Sequence, residues 1–155
     1  MKIKNFFSQI IILLILLSPV KSTTLSEFEV TKQLIWNKEI KIYKSRAESG
    51  LNYYINNTSQ NYVGWPPGLE KPMGYDQLKL NQTKITFPNS EKIQLFFDNI
   101  VIEDNTAIIY YHTHRTVLPN GNKVNQRYHI CHVWSKNKKN EWKLLGAMGR
   151  LVKSS

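Results

Sequence analysis

The sequence predicts an α+β domain in which N-terminal helices pack on an antiparallel sheet. Three observations carry that expectation. An apolar stripe at helical spacing runs through Trp36, Ile40, Tyr43, Ala47, Leu51 and Tyr54. Two runs rich in β-branched and aromatic residues, 93–102 and 106–118, are joined by a tight turn. Two more strand-like runs follow at 123–134 and 141–152. The helical stripe must be buried against something, and the sheet is the only large partner available.

Residues 1–22 read as an export signal: Lys2 and Lys4 precede the apolar IIILLILL run, and Val20-Lys21-Ser22 offers a small-residue cleavage site. The apolar run is short for a membrane span, and no cysteine stands at the cleavage point to take a lipid. Residues 23–155 are then one periplasmic or secreted domain, with no integral span after cleavage. An uncleaved anchor is the alternative. Losing Lys2, Lys4 and Lys21 from 21 basic residues leaves 18 against 11 acidic ones, a net charge of +7. In an exported protein that charge suits solvated lysines or acidic ligands, and the basic residues form no nucleic-acid motif. Sequons begin at Asn56, Asn57 and Asn81, which matter only in a eukaryotic source.

In chain order, Ser26 and Glu29 form a capping box that opens the first helix, and Gly50 breaks or bends it. Asn56–Ser59 reads as a loop, Tyr62–Trp65 as a short strand stopped by Pro66-Pro67-Gly68, and 74–80 as a third short helix. A lysine-rich loop at 135–140 separates the last two strands. No Gly-rich phosphate loop, nucleophile elbow or metalloprotease motif is present.

Turn chemistry sets the strand registers. A two-residue loop at Asp104-Asn105 pairs Glu103 with Thr106. Pro119 lacks the N–H that a two-residue Asn-Gly hairpin would need, so a type I turn with left-handed Gly121 pairs Leu118 with Asn122. Uninterrupted alternation then places Asp98, Tyr111 and His129 in one row, flanked by Phe96, Thr113 and Arg127 on one side and by Ile100, Ile109 and Cys131 on the other. The opposite face carries Tyr110, His112, His114, Tyr128, His132 and Trp134. A slip of one residue at either turn scrambles both sets.

The motifs resemble a known superfamily. Tyr62-Val63-Gly64-Trp65-Pro66-Pro67-Gly68 is similar to the "YVGWP" element of SnoaL-like and DUF4440-like members of the NTF2-like superfamily, Asp104–Ile109 to their "GDTAVV" turn and strand, and Trp134 with Trp142 to their "W…DGRW" hairpin. The resemblance covers about residues 27–152. Met148 stands where many DUF4440-like chains carry a His, and only Asp98 among the carboxylates lies inside a strand, so a literal copy of the steroid isomerase site is not expected.

The resemblance implies an NTF2-like cone: helices on the concave face of a curved antiparallel sheet, a pocket at the open end, and homodimers paired through their sheets. With the Tyr111 face turned inward, His129 becomes the candidate general base, Tyr111 the donor to a developing oxyanion and Asp98 the group that orients them. Arg127 would hold an anionic group, Trp65 would close one wall, and Thr113 and Cys131 would line the cavity. The alternative is a satisfied polar network that only fixes the sheet. Cys131 reads as a small buried apolar residue, with a thiolate beside His129 as the sharper alternative. His112 and His114 could chelate a metal only if His132 approached them; no metal or other cofactor is expected. The expected ligand is a small hydrophobic or amphipathic molecule, bound with or without isomerase-, cyclase- or hydratase-type chemistry. The competing function is a non-catalytic dimeric envelope or interaction protein.

Overall fold

A computed structural model describes residues 26–152, so the expected export signal at 1–22 lies outside the described residues. Helix α1 (Glu27–Ser49) begins where expected. Ser26 Oγ accepts from the Glu29 backbone N–H at 3.2 Å, satisfying one of the free donors of the first turn. It ends at Gly50, whose φ of +62° lies in the region that favours glycine. Thr31, Ile35, Glu39 and Ile42 form its fully buried stripe. That stripe is rotated from the expected one, so Ile40 is exposed and a carboxylate sits at the centre of the buried face.

Helix α2 (Asn52–Asn56) follows at once. Strand β1 (Thr58–Trp65) takes in Thr58 and Ser59, which the sequence suggested were loop. Strand β2 (Met73–Gly74) was not foreseen, and it leads into helix α3 (Tyr75–Gln82). Four long strands complete the chain: β3 (Lys92–Glu103), β4 (Thr106–Val117), β5 (Lys123–Lys136) and β6 (Trp142–Val152). The sheet order is β2-β1-β6-β5-β4-β3, antiparallel throughout except for the β1–β6 pair. Its concave face packs Ile100, Ile109, Trp134 and Leu144 against Ile35 and Ile42 of α1. The architecture is the expected α+β cone.

Both hairpin turns form as read. Glu103 pairs with Thr106. The Leu118 backbone N–H donates to the Asn122 carbonyl at 2.9 Å across a turn whose Gly121 has a φ of +88°. The registers beyond the turns differ because both hairpins contain a β-bulge. One between Phe97 and Asn99 sets Phe97, not Asp98, opposite Tyr111. A second between Arg115 and Val117 sets Ile130, not His129, opposite Tyr111 and brings His132 opposite Ile109. Each extra residue turns every side chain beyond it to the other face. Tyr128, His132 and Trp134, expected outside, therefore face the helices, and Asp98, Arg127, His129, Cys131 and Val133 face away.

Candidate active site

The centre of the cone is polar. Glu39, with no exposed surface, projects from α1 onto the concave sheet. Its carboxylate accepts from Trp134 Nε1–H at 2.6 Å and from the Tyr111 hydroxyl at 2.9 Å. His132 Nδ1 lies 2.9 Å and 3.0 Å from its two oxygens. An ionised carboxylate only accepts, so the geometry assigns the His132 proton to Nδ1. Tyr111 Oη also lies 3.3 Å from both His132 Nδ1 and Tyr43 Oη. This buried acid thus has donors around both oxygens, as a carboxylate removed from water requires.

Two members of the network, Tyr43 and His132, line an open, mostly apolar cavity of about 350 Å³ that is also bounded by Leu51, Tyr54, Tyr62, Met73 and Leu78, among others. With Nδ1 committed to Glu39, Nε2 is the nitrogen of His132 left for a ligand, and it has no protein partner among the described residues. The Tyr54 ring lies nearly parallel to the imidazole, 20° between planes and 6.2 Å between centroids. Its hydroxyl is 2.9 Å from that of Tyr62. One hydroxyl of that pair donates to the other, so a second phenolic hydrogen is left over for a ligand.

Burial keeps these phenols protonated. It pushes Tyr43 up to about 12, with the hydroxyl contact to Tyr111 pulling the other way. Burial raises Tyr54 and Tyr111 well above the ordinary phenol, and the charge of Glu39 adds to the rise at Tyr111. Tyr62 is raised by the same desolvation. The cavity therefore offers a histidine with one oriented, uncommitted nitrogen beside neutral hydroxyl donors. That set can take a proton from a substrate and stabilise the oxyanion left behind.

The three residues expected to act together do not meet. Tyr111 faces inward and is fully buried in the network. Asp98 faces outward and bonds His112 Nδ1 at 2.9 Å. His129 is exposed on the outer face, with Nδ1 3.2 Å from an Arg150 guanidinium nitrogen. Arg127 is exposed on that face, and half-buried Cys131 lies across from Tyr110, its thiol pushed up by desolvation. Trp65 lines the cavity, its indole N–H tied to the Leu69 carbonyl at 2.7 Å. Thr113 is buried beside a smaller neighbouring cavity. His132 lies on the face opposite His112 and His114, and among the described residues no group of three or more His, Cys, Asp or Glu side chains could hold a metal ion.

The strand pattern missed Glu39 and put His132 on the wrong side. One signal was available: Glu39 follows Ile35 by four residues and precedes Ile42 by three, which puts a carboxylate on an otherwise buried face.

No family model and no curated protein matches the sequence. Solved structures do match its fold. An NTF2-like protein from Cytophaga hutchinsonii superposes with a TM-score of 0.63 at 9% identity, covering 78% of this chain and 98% of that one. A ketosteroid isomerase-like protein from Erwinia carotovora atroseptica reaches 0.64 at 14% identity, covering 79% and 96%. The CaMKII hub of S. rosetta reaches 0.65 at 20% identity, covering 77% and 95%. Helices laid on the concave face of a six-stranded curved sheet, shared with these structures over most of their length, give this chain the NTF2-like fold.

Proposed function

We propose that this protein binds a small hydrophobic or amphipathic molecule in its cone and moves a proton on it, in an isomerase-, cyclase- or hydratase-type reaction. The observation that carries this is an imidazole fixed by a buried carboxylate with its other nitrogen left to an open apolar cavity. In this scheme His132 Nε2 takes a proton from a carbon or oxygen acid of the ligand. Glu39 holds the ring and stabilises the imidazolium that forms, and the free phenolic hydrogen of the Tyr54–Tyr62 pair meets the developing oxyanion. His132 thus takes the role that the sequence pattern gave to His129.

Native mass spectrometry of the protein purified from its own host, followed by denaturation, tests the ligand. Release of a small molecule from the wild-type protein but not from His132→Ala supports the reading. An equal yield from both leaves His132 without a role. His129→Ala is the matched control and is expected to retain the ligand.

The second reading is a dimeric scaffold, in which export and pairing matter more than chemistry. The outer sheet face favours it, since Phe96, Val101 and Tyr110 are all exposed there. Sedimentation of the wild-type protein and of Val101→Glu would test pairing through that face. In either reading we place the protein outside the cytoplasm, with residues 1–22 as its export signal. N-terminal sequencing of the protein recovered from the periplasm or medium checks that assignment.

A further inference from the structure

At the rim of the cavity two arginines share one glutamate. Arg46 comes from the last turn of α1 and Arg115 from β4. Glu91 precedes β3 and is buried between them. Its Oε1 is 3.1 Å from an Arg46 terminal nitrogen and 3.0 Å from Arg115 Nη2. Arg46 Nε lies 2.9 Å from Glu91 Oε2 but off the hydrogen-bond axis. Arg46 Nε and Arg115 Nε are therefore both buried without a hydrogen-bond acceptor among the described residues. Two guanidiniums on one carboxylate leave one positive charge unbalanced, and each unmade bond in the interior carries a penalty.

The surroundings say what the surplus is for. Arg46 lines the main cavity, and Arg115 lines a neighbouring space of about 260 Å³. The two spaces share Tyr43, Pro66, Pro67 and Ile130, so they adjoin, and both guanidiniums converge on Glu91 Oε1. Lys84 lines the main cavity too, and Glu91 is the one acid in this group, so the rim is net positive. Each arginine is braced against a ring, Arg46 over Tyr43 and Arg115 over Tyr128, both 5.6 Å from the centroid. The loop carrying Glu91 has its own anchors: the Asn89 backbone N–H donates to the Ala47 carbonyl at 2.8 Å, and Asn89 Oδ1 accepts from the Glu91 backbone N–H at 3.0 Å.

We propose that the ligand is an organic carboxylate, its acid group held at the rim by Arg46 and Arg115 and its apolar body reaching past Tyr43 to His132. Glu91 already shows that a planar carboxylate fits between the two forks, and guanidinium geometry favours that partner. The inference rests on the reading of the cone as a ligand site.

The test uses three probes with one apolar body: naphthoate, naphthamide and naphthyl phosphate, titrated against the wild-type protein by calorimetry. Naphthoate is expected to bind about tenfold or more tightly than its neutral amide, the scale of a charge-assisted pair. Arg46→Gln and Arg115→Gln are each expected to erase that preference. Glu91→Gln, which removes the competing acid without changing its shape, is expected to strengthen it. The wild-type comparison needs no variant, so it stands even if an arginine substitution unfolds the chain. Equal binding of acid and amide overturns the carboxylate assignment and leaves the ligand site intact. Tighter binding of the phosphate does the same in favour of phosphate esters, and an unchanged preference in both folded arginine variants also overturns it. Failure of all three probes to bind removes the ligand site and this inference together.

Discussion

The two faces of the sheet carry the same pair in different surroundings. Inside, His132 Nδ1 is 2.9 Å from Glu39; outside, His112 Nδ1 is 2.9 Å from Asp98. The side chains of the inner pair are 7% and 0% exposed, those of the outer pair 36% and 45%. The outer pair can exchange its partner for water with little loss, and Phe96 stacked on His112 at 4.8 Å supplies the rest of its environment. The inner carboxylate has no exposed surface, so its partners must be protein groups. Equal distances therefore describe unequal interactions, and burial decides which of the two can hold a histidine nitrogen at a fixed place in a cavity.

The largest effect is expected at Glu39. In Glu39→Ala, the Trp134 N–H, the Tyr111 hydroxyl and His132 all lose their acceptor in a dry interior. A loss of about 3 kcal/mol or more in unfolding free energy is expected from urea titration. Glu39→Gln keeps an acceptor oxygen and is expected to lose less stability while still misdirecting His132. A negligible effect of Glu39→Ala would mean that the inner pair is no better than the outer one.

Alkali probes the same interior from the tyrosine side. Tyr43 is raised from 10 to about 12, so above pH 10 the unfolded chain releases a phenolic proton that the folded chain retains. The stability contributed by this group is complete below pH 10 and is lost as the pH climbs toward about 12. At roughly 1.4 kcal/mol per pH unit, that is on the order of 2–3 kcal/mol from Tyr43, with Tyr54, Tyr62 and Tyr111 shifted in the same direction. Tyrosinate absorbance should therefore appear in two stages: exposed phenols first, then the buried set together with unfolding. A single smooth titration near pH 10 would place the buried phenols in contact with water.

A smaller effect is expected beside the cavity at Gly64. A methyl group added there would strike the Tyr62 hydroxyl, so Gly64→Ala must push that ring away from Tyr54. The expected cost is about 1–2 kcal/mol, with a weaker ligand complex measured by calorimetry. Glycine in the Tyr62–Trp65 element thus leaves room for a neighbouring side chain.

The comparison also explains how far the sequence could be read. Turn residues declared both hairpins, because Pro119, Gly121 and the Asp104-Asn105 pair admit few local geometries. The helices followed from periodicity, and the cone from the resemblance of the motifs to the NTF2-like superfamily. The faces were lost at the two bulges, near Asp98 and between Arg115 and Val117, where nothing local resembles a turn. A bulge answers to the curvature that the whole sheet needs to wrap around the helices, and curvature is a tertiary property. Tyr111, Thr113 and Ile109 kept their face because β4 carries the reference alternation. Asp98 and His129 changed face because each lies past a bulge from the turn that set its register.

The smallest effect is expected where the outer pair is cut. In Asp98→Asn the side chain keeps its shape and loses its charge, and the His112 imidazole stays stacked on Phe96. With both partners more than a third exposed, water and salt already screen the attraction, so the change in unfolding free energy should stay under about 1 kcal/mol. The same substitution should leave ligand affinity unaltered, because the sheet stands between Asp98 and the cavity. A large loss of stability on dilution, with a small one at high protein concentration, would carry a different meaning. It would show that Asp98 and His112 are covered in solution, and that the outer face buries its histidine against a second copy as the inner face buries His132 against α1.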